Sequence, residues 1–366
     1  MRIIFLNWRD LAHPRAGGAE VLAQGIARRL ARDAHEVTFF SAAVDGAPPE
    51  ETRDGVRHVR RGGRLGVYMA ARAWLRQERP QYDILIDHIN TVPFFSPLYD
   101  RHRTIALVPQ LARDVWLREA PPGVAQLGLL SERAYHVVYQ STPAITISQS
   151  TERDLRDFGW RGPIRTIAMP IPAPPDVLPD KHERPALLFV GRLTPSKRVE
   201  DAIAAFGTVR ERIPDAELWI AGQADDLRYR ARLENIAKQI GNVDFLGRLT
   251  DAERQQRMAQ AHLLVATSVR EGWGLVVTEA NSVGTPAAGY DVPGLRDSIK
   301  PGRGILSVAG DPGALGNAMI RVLSDPAELA EMSAHARRDA TQYSWQRTYD
   351  EFVAALRELA PPEAKA

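Results

Sequence analysis

Short apolar runs alternate with longer helical patterns along the whole chain, and the alternation occurs twice, on either side of a proline-rich break. Arg2–Asn7 reads as a buried strand. Gly18–Arg32 reads as a helix with Val21, Leu22, Ile26 and Leu30 near one face. Strands are expected at Glu36–Ser41, Asp83–Asp87, Thr104–Val108 and Ala144–Ser148. The segment Met169–Pro179 holds five prolines, which remove donors and stiffen the chain, so it reads as a linker. The pattern then restarts. Strands are expected at Ala186–Gly191, Glu217–Ala221, Val243–Leu246 and Leu263–Ala266, and helices at Arg198–Arg212, Leu227–Ile240, Leu275–Val283 and Trp345–Leu359. Buried strands separated by helices predict parallel sheets covered on both faces. A chain of 366 residues is also long for one domain. Two doubly wound α/β domains follow, spanning 1–172 and 180–344, with ligands expected in the loops after the strands, in a cleft between them.

Composition excludes several classes. Hydrophobic residues make up 44% and charged residues 25%, ordinary for a globular protein. The net charge of +2 provides no strong field for nucleic acid. Its distribution is uneven: residues 1–172 carry 23 Lys and Arg against 18 Asp and Glu, the remainder 24 against 27. The first-half excess lies largely in Arg53, Arg57, Arg60, Arg61, Arg64, Arg72, Arg76 and Arg79. With aliphatic and aromatic residues of Leu65–Leu75 beside them, these arginines read as a helix with a solvated basic face, or as a peripheral contact with anionic lipid. There is no cysteine, so disulfides and thiolate metal sites are absent. The first apolar run is too short for a signal-peptide core, and no run of about 18 apolar residues exists. A cytoplasmic location is the expectation, at most peripheral at the inner membrane face.

Three turns carry the chemistry. In Arg270–Glu279 a strand ends, a short loop follows and a helix opens near Gly274. Glycines at a helix start let a ligand reach free N–H groups, where the helix dipole favours phosphate. Glu271 and Glu279 flank this turn, and a carboxylate suits paired sugar hydroxyls. In Gly191–Lys197, Arg192 and Lys197 stand five apart across a proline turn. A guanidinium fork and an ammonium point charge together suit a diphosphate. The third turn, Arg15–Glu20, places Gly17 and Gly18 at the start of the first helix. It lacks the full spaced-glycine fingerprint, and no acidic residue closes the second strand, which disfavours NAD.

Together these turns resemble the retaining GT-B glycosyltransferases of family 4. The Glu-x7-Glu motif with an aromatic-Gly-Leu inside it is matched by Glu271, Trp273, Gly274, Leu275 and Glu279, the Gly-Arg…Lys pair by Arg192 and Lys197, and the Gly-Gly turn by Gly17 and Gly18. Phe245–Leu249 is similar to the family's nucleobase loop, and Tyr343-Ser-Trp345 to the start of its terminal helix. The resemblance implies two Rossmann-like domains facing a cleft, with the C-terminal helix, residues 345–366, crossing back to the first domain. It implies a nucleotide-diphosphate sugar donor, UDP-linked above all, no required cofactor or divalent metal, and a glycan, lipid-linked or small-molecule acceptor. The donor contacts it implies are Gly17, Gly18, Arg192, Lys197, Gly222, Gly247, Arg248, Leu249, Glu271, Gly272, Trp273, Gly274, Leu275 and Glu279. Of these, Arg192, Lys197 and Glu271 would act in transfer, with His88 lining the first domain's side. The family pattern breaks at Val108-Pro109-Gln110, where Pro109 stands in place of an expected His. His88 is expected in the loop after its strand, with Asp87, Asn90, Gln110 and Arg113 as further acceptor-side candidates. Pro109 keeps a second reading open, a nucleotide-sugar-binding protein of the same fold with weakened catalysis.

Overall fold

The structure is a computed structural model that describes residues 1–63, 65–121 and 123–361. Arg64 of the basic stretch and the end of the terminal segment, 362–366, lie outside the described residues. In chain order the elements are β1 (Arg2–Leu6), α1 (Gly18–Arg32), β2 (Glu36–Ser41), β3 (Glu50–Arg53), β4 (Val56–Arg60), α2 (Val67–Glu78), β5 (Ile84–His88), β6 (Thr104–Val108), α3 (Asp114–Glu119), α4 (Val124–Tyr139), β7 (Ala144–Thr146), α5 (Gln149–Asp157) and β8 (Ile164–Thr166). After the prolines come β9 (Ala186–Val190), α6 (Val199–Arg212), β10 (Glu217–Ala221), α7 (Leu227–Ile240), β11 (Val243–Gly247), α8 (Asp251–Gln260), β12 (Leu263–Ala266), α9 (Leu275–Ser282), β13 (Ala287–Tyr290), α10 (Leu295–Ser298), β14 (Gly304–Ser307), α11 (Pro312–Leu323), α12 (Pro326–Ala340) and α13 (Trp345–Leu359). The expected α/β architecture is present in both halves. No strand or helix falls between β8 and β9, where the prolines lie.

The chain divides into two compact units. One comprises Met1–Arg113, Gln126–Pro170 and Trp345–Ala366; the other comprises Asp114–Ala125 and Ile171–Ser344. The first unit is built on an eight-stranded sheet of order β3-β4-β2-β1-β5-β6-β7-β8. All its pairings are parallel except β3–β4. The sequence reading missed that edge hairpin because Arg53, Arg57 and Arg60 break its apolar pattern. The structure assigns those charges to internal pairs. Arg60 is buried, donates to Asp10 at 2.8 Å and bridges Glu51 at 2.7 Å. Arg57 reaches Glu50 at 3.0 Å, and Arg61 pairs with the same carboxylate. Much of the basic stretch is therefore neutralised within the unit.

The terminal helix is fixed to the first unit by shape. The indole of Trp345, at the start of α13, lies over α1 where Gly25 leaves room. A Cβ on Gly25 would sit 2.0 Å from Trp345 Cη2. The Arg29 guanidinium covers the same ring at 4.2 Å, Tyr349 donates to Asp33 at 2.5 Å, and Glu351 accepts from the Ala168 amide at 2.6 Å. Phe352 lies within 6.4 Å of Phe5 in the core.

The second unit has a six-stranded sheet of order β11-β10-β9-β12-β13-β14, all parallel. Its strands are near-continuous apolar runs, as burial on both faces demands.

Replacing Gly25 with alanine should force the Trp345 ring off α1 and cost about 1–3 kcal/mol, the usual range for overpacking. The expected readout is an earlier urea transition of the first unit. Gly63→Ala, at a position with nothing within 4 Å of the added Cβ, should leave the transition in place.

Candidate functional site

In an open parallel sheet, ligands collect beyond the carboxyl ends of the strands where the winding direction reverses. In the second unit that point lies between β9 and β12. The segments leaving these two strands, Gly191–Lys197 and Thr267–Glu279, contain the two turns singled out in the sequence, Gly191–Lys197 and Arg270–Glu279, and they are bound to each other. The Val269 amide donates to Ser196 O at 2.9 Å. The Thr267 hydroxyl reaches the carbonyls of Lys197 and Arg198 at 3.0 and 2.9 Å. The Lys197 ammonium donates to Glu271 Oε1, which also accepts from the Ser268 hydroxyl at 2.6 Å. Neither Thr267 nor Ser268 was singled out by sequence: Thr267 holds a turn distant in the chain, and Ser268 orients the Glu271 carboxylate within its own loop.

Gly272, Trp273 and Gly274 lead into α9. Gly274 has a left-handed backbone, φ 87°, and no side chain caps the helix. A Cβ there would lie 2.8 Å from Ser298 Oγ. One on Gly294 would lie 2.2 Å from Glu271 O, and the Glu271 amide donates to Pro293 O at 3.0 Å. The loop holding Glu271 is therefore clamped against the turn after β13. Trp273 packs edge-on against Tyr343 at 5.4 Å, and Leu275 is half-buried at the first position of α9.

Glu279 sits farther along α9, largely buried, with Arg254 of α8 at 3.5 Å. Burial raises its pKa above the usual carboxylate value, opposed by Arg254 and reinforced by Asp251. A carboxylate kept in a costly environment is a candidate for a functional role. Arg254 was not singled out by sequence. It is placed by α8, whose start is capped by Thr250 accepting from the Glu253 amide at 3.3 Å, while Glu253 accepts from the Thr250 amide at 2.8 Å.

The neighbouring strand ends are laced by backbone. Gly191 N donates to Ala221 O at 3.0 Å, and Gly222 N to Gly247 O at 2.7 Å. Gly222 cannot carry a side chain, since its Cβ would meet Gly191 O at 1.8 Å. Arg248 is exposed after β11, and Leu249 packs on the edge of the core. Arg192 is 62% exposed on its side chain, with the Glu119 carboxylate 4.0 Å away.

In the first unit the reversal falls between β1 and β5. Gly17 and Gly18 open α1, but the Gly17 amide is taken: Glu20 turns back and accepts from it at 2.7 Å. Glu20 also accepts from Asn90 at 2.7 Å and pairs with Arg9 at 3.0 Å. His88, expected in a loop, is the last residue of β5 and is fully buried. Burial lowers its pKa to about 4, so the ring is neutral at pH 7. Neither its ring nitrogens nor the side-chain amide of buried Asn7, at the end of β1, has a hydrogen-bond partner among the described residues. Asp87 is an internal anchor. It accepts from Ser96 Oγ at 2.6 Å, from the amides of Phe94 and Ser96, and from the Tyr139 hydroxyl. Arg113 is tied to Asp154 at 2.8 Å. Pro109 is buried after β6, its carbonyl accepting from the Thr151 hydroxyl at 3.0 Å. Among the described residues no group of three or more His, Asp or Glu side chains is gathered for a metal ion, and no helix is long and apolar enough to cross a membrane.

The comparisons divide the chain at the prolines. Residues 16–173 match the model of "Glycosyltransferase Family 4", and residues 173–339 match that of "Glycosyl transferases group 1". The chain is 28% identical to a D-inositol 3-phosphate glycosyltransferase of Geodermatophilus obscurus, over 96% of this chain and 87% of the relative. Among solved structures it is similar to a sucrose-phosphate synthase from Thermosynechococcus elongatus, with TM-score 0.81, 21% identity and 98% of each chain covered. It is also similar to HepE of Anabaena in complex with UDP and glucose, with TM-score 0.75, 21% identity and coverage of 98% of this chain and 100% of that one.

Because the folded chain raises the pKa of Glu279, its ionised form costs stability at pH values above that pKa. The cost fades as pH falls through the carboxylate range, where folded and unfolded chains are both protonated. Glu279→Gln should therefore melt higher than the parent at pH 7, and the gain should shrink towards pH 4. Thermal melts across this range check it; a gain independent of pH would contradict it.

Proposed function

This chain belongs to the family 4 glycosyltransferases, and on that premise we propose that it moves a hexose-type sugar from a UDP-linked donor to an acceptor hydroxyl, with retention at the anomeric carbon and without a divalent metal. The observation that carries the reading is the Lys197–Glu271 contact across the β9–β12 reversal. It joins a diphosphate-binding cation to a sugar-binding carboxylate at the one place in this sheet where the topology opens a crevice.

Arg192 and Lys197 hold the diphosphate and stabilise the charge that grows on it as the sugar departs. That is the task a metal performs in other transferases. Glu271 and the backbone of Gly272–Leu275 hold the sugar hydroxyls, with Trp273 backing the turn. Glu279 accepts from the ribose hydroxyls. Gly222, Gly247, Arg248 and Leu249 border the nucleobase. A UDP-linked donor is supported by the fold shared with HepE, whose structure contains UDP and glucose. In the first unit, Glu20 already satisfies the Gly17 amide at the opening of α1.

Retention follows when the acceptor oxygen attacks the face from which the phosphate leaves. The bond from C1 to the phosphate oxygen breaks, the bond from C1 to the acceptor oxygen forms, and the acceptor's proton passes to the leaving phosphate. No carboxylate nucleophile takes part, so the two glutamates act as hydroxyl acceptors and not as a hydrolase pair. His88, neutral and buried, enters this reading as a hydrogen-bonding group beneath the α1 N-terminus. The acceptor belongs to the class of lipid-linked glycans, polysaccharides or small metabolites.

With UDP-glucose as donor, Lys197→Ala and Glu279→Ala should each lower kcat/KM by about 10²–10³, with an unchanged far-UV circular dichroism spectrum. EDTA should leave the parent rate unchanged. Slow release of UDP from UDP-glucose by the chain alone is expected; its absence would favour the weakened binding protein that Pro109 suggests.

Contact with an anionic membrane is supported by one surface of the first unit. Leu65 is 84% exposed, Met69 70% and Leu98 66%. Arg72 and Arg76 follow on the same side of α2 at helical spacing, and Arg72 lies 6.0 Å from the ring of Tyr99, next to Leu98. Co-sedimentation with phosphatidylglycerol vesicles is expected at low salt and should be lost in Met69→Asp; a parent chain that stays in the supernatant contradicts the reading.

A further inference from the structure

The cationic turn after β9 is already occupied by acids from the chain itself. Lys197 is paired with Glu271, and Arg198 with Asp201 at 2.7 Å. The third base, Arg192, has Glu119 at 4.0 Å, and the same Glu119 carboxylate accepts a hydrogen bond from the buried Ser196 hydroxyl. Ser196 is held in turn by Thr194, 3.1 Å away.

Glu119 comes from a segment with an unusual place in the chain. Asp114–Ala125 groups with the second unit, although the residues before and after it, Met1–Arg113 and Gln126–Pro170, belong to the first. Its helix, α3, is six residues long and buries none of them. Val115 and Trp116 are half-buried, and Glu119 supplies the segment's specific polar hold on the turn. An ionised carboxylate offers acceptor oxygens only, as a phosphate does, and guanidinium and hydroxyl donors suit both.

We propose that Glu119 competes with the donor's diphosphate for Arg192 and Ser196, so that Asp114–Ala125 is a strap which a nucleotide displaces. The inference rests on the donor site proposed above. Two anions cannot share one exposed guanidinium and one hydroxyl without repulsion, so occupancy by phosphate and docking of the strap oppose each other. The opposition is reciprocal: whatever loosens the strap tightens nucleotide, and nucleotide loosens the strap by the same factor. Glu119 then sets donor affinity without touching the sugar.

The test is calorimetric titration of the full chain with UDP, comparing the parent with Glu119→Gln. The amide keeps an acceptor for Ser196 and removes the charge. The expected result is UDP binding about three- to fivefold tighter in the variant, the range for a half-exposed ion pair, with the difference shrinking as salt is raised. Hydrogen exchange on the unmodified chain gives a second readout independent of any variant: the amides of 114–120 and 123–125 should exchange faster with saturating UDP. Unchanged or weaker UDP affinity in Glu119→Gln, or slower exchange of the strap, overturns the proposal while leaving the donor site in place. UDP that binds neither protein overturns the donor site and the strap together.

Discussion

The reversal of winding between β9 and β12 is the constraint on which the second unit's chemistry depends. All six strands run the same way, so all their carboxyl ends open on one edge. Only at the reversal do two adjacent strands send their connections to opposite faces and leave space above the sheet. Arg192, Lys197, Glu271 and the start of α9 all follow those two strands. Glycines make the approach possible: Gly222 admits the Gly191 carbonyl, and Gly294 admits that of Glu271. The first unit repeats the arrangement at β1 and β5, with Asn7, His88 and the N-terminus of α1 gathered there.

Charge in both places is balanced before any ligand is considered. Glu20 takes the Gly17 amide and the Arg9 guanidinium, and Glu271 takes Lys197. Buried or half-buried charges are costly when alone, so the site proposed to receive phosphate and sugar hydroxyls carries internal partners that resemble them. The same balance accounts for the basic stretch of the first unit. On sequence it suggests a positive surface, yet Arg57, Arg60 and Arg61 are turned to Glu50, Glu51 and Asp10 by the β3–β4 hairpin.

Much was legible in the sequence because it was local. The strand and helix periods set two α/β halves, the five prolines marked the division between them, and each phosphate-type turn was readable from glycine and charge within eight or nine residues. The edge hairpin was missed because its period was broken by arginines whose partners are elsewhere. His88 was expected in a loop because the end of β5 carries no local signal, whereas its burial is decided by packing around the neighbouring strand ends.

What the sequence determined by itself, then, was the α/β class, the family and the residue types available for a nucleotide-sugar donor. Those properties reside in short windows, where backbone period, proline and glycine act on their neighbours. Only the tertiary structure decided which charges meet: Lys197 with Glu271, Glu279 with Arg254, and Glu119 with Arg192 and Ser196. Those pairs lie 25 to 77 residues apart in the chain. Their distances, and so their energies, are set by which strands lie side by side, and no local pattern encodes that.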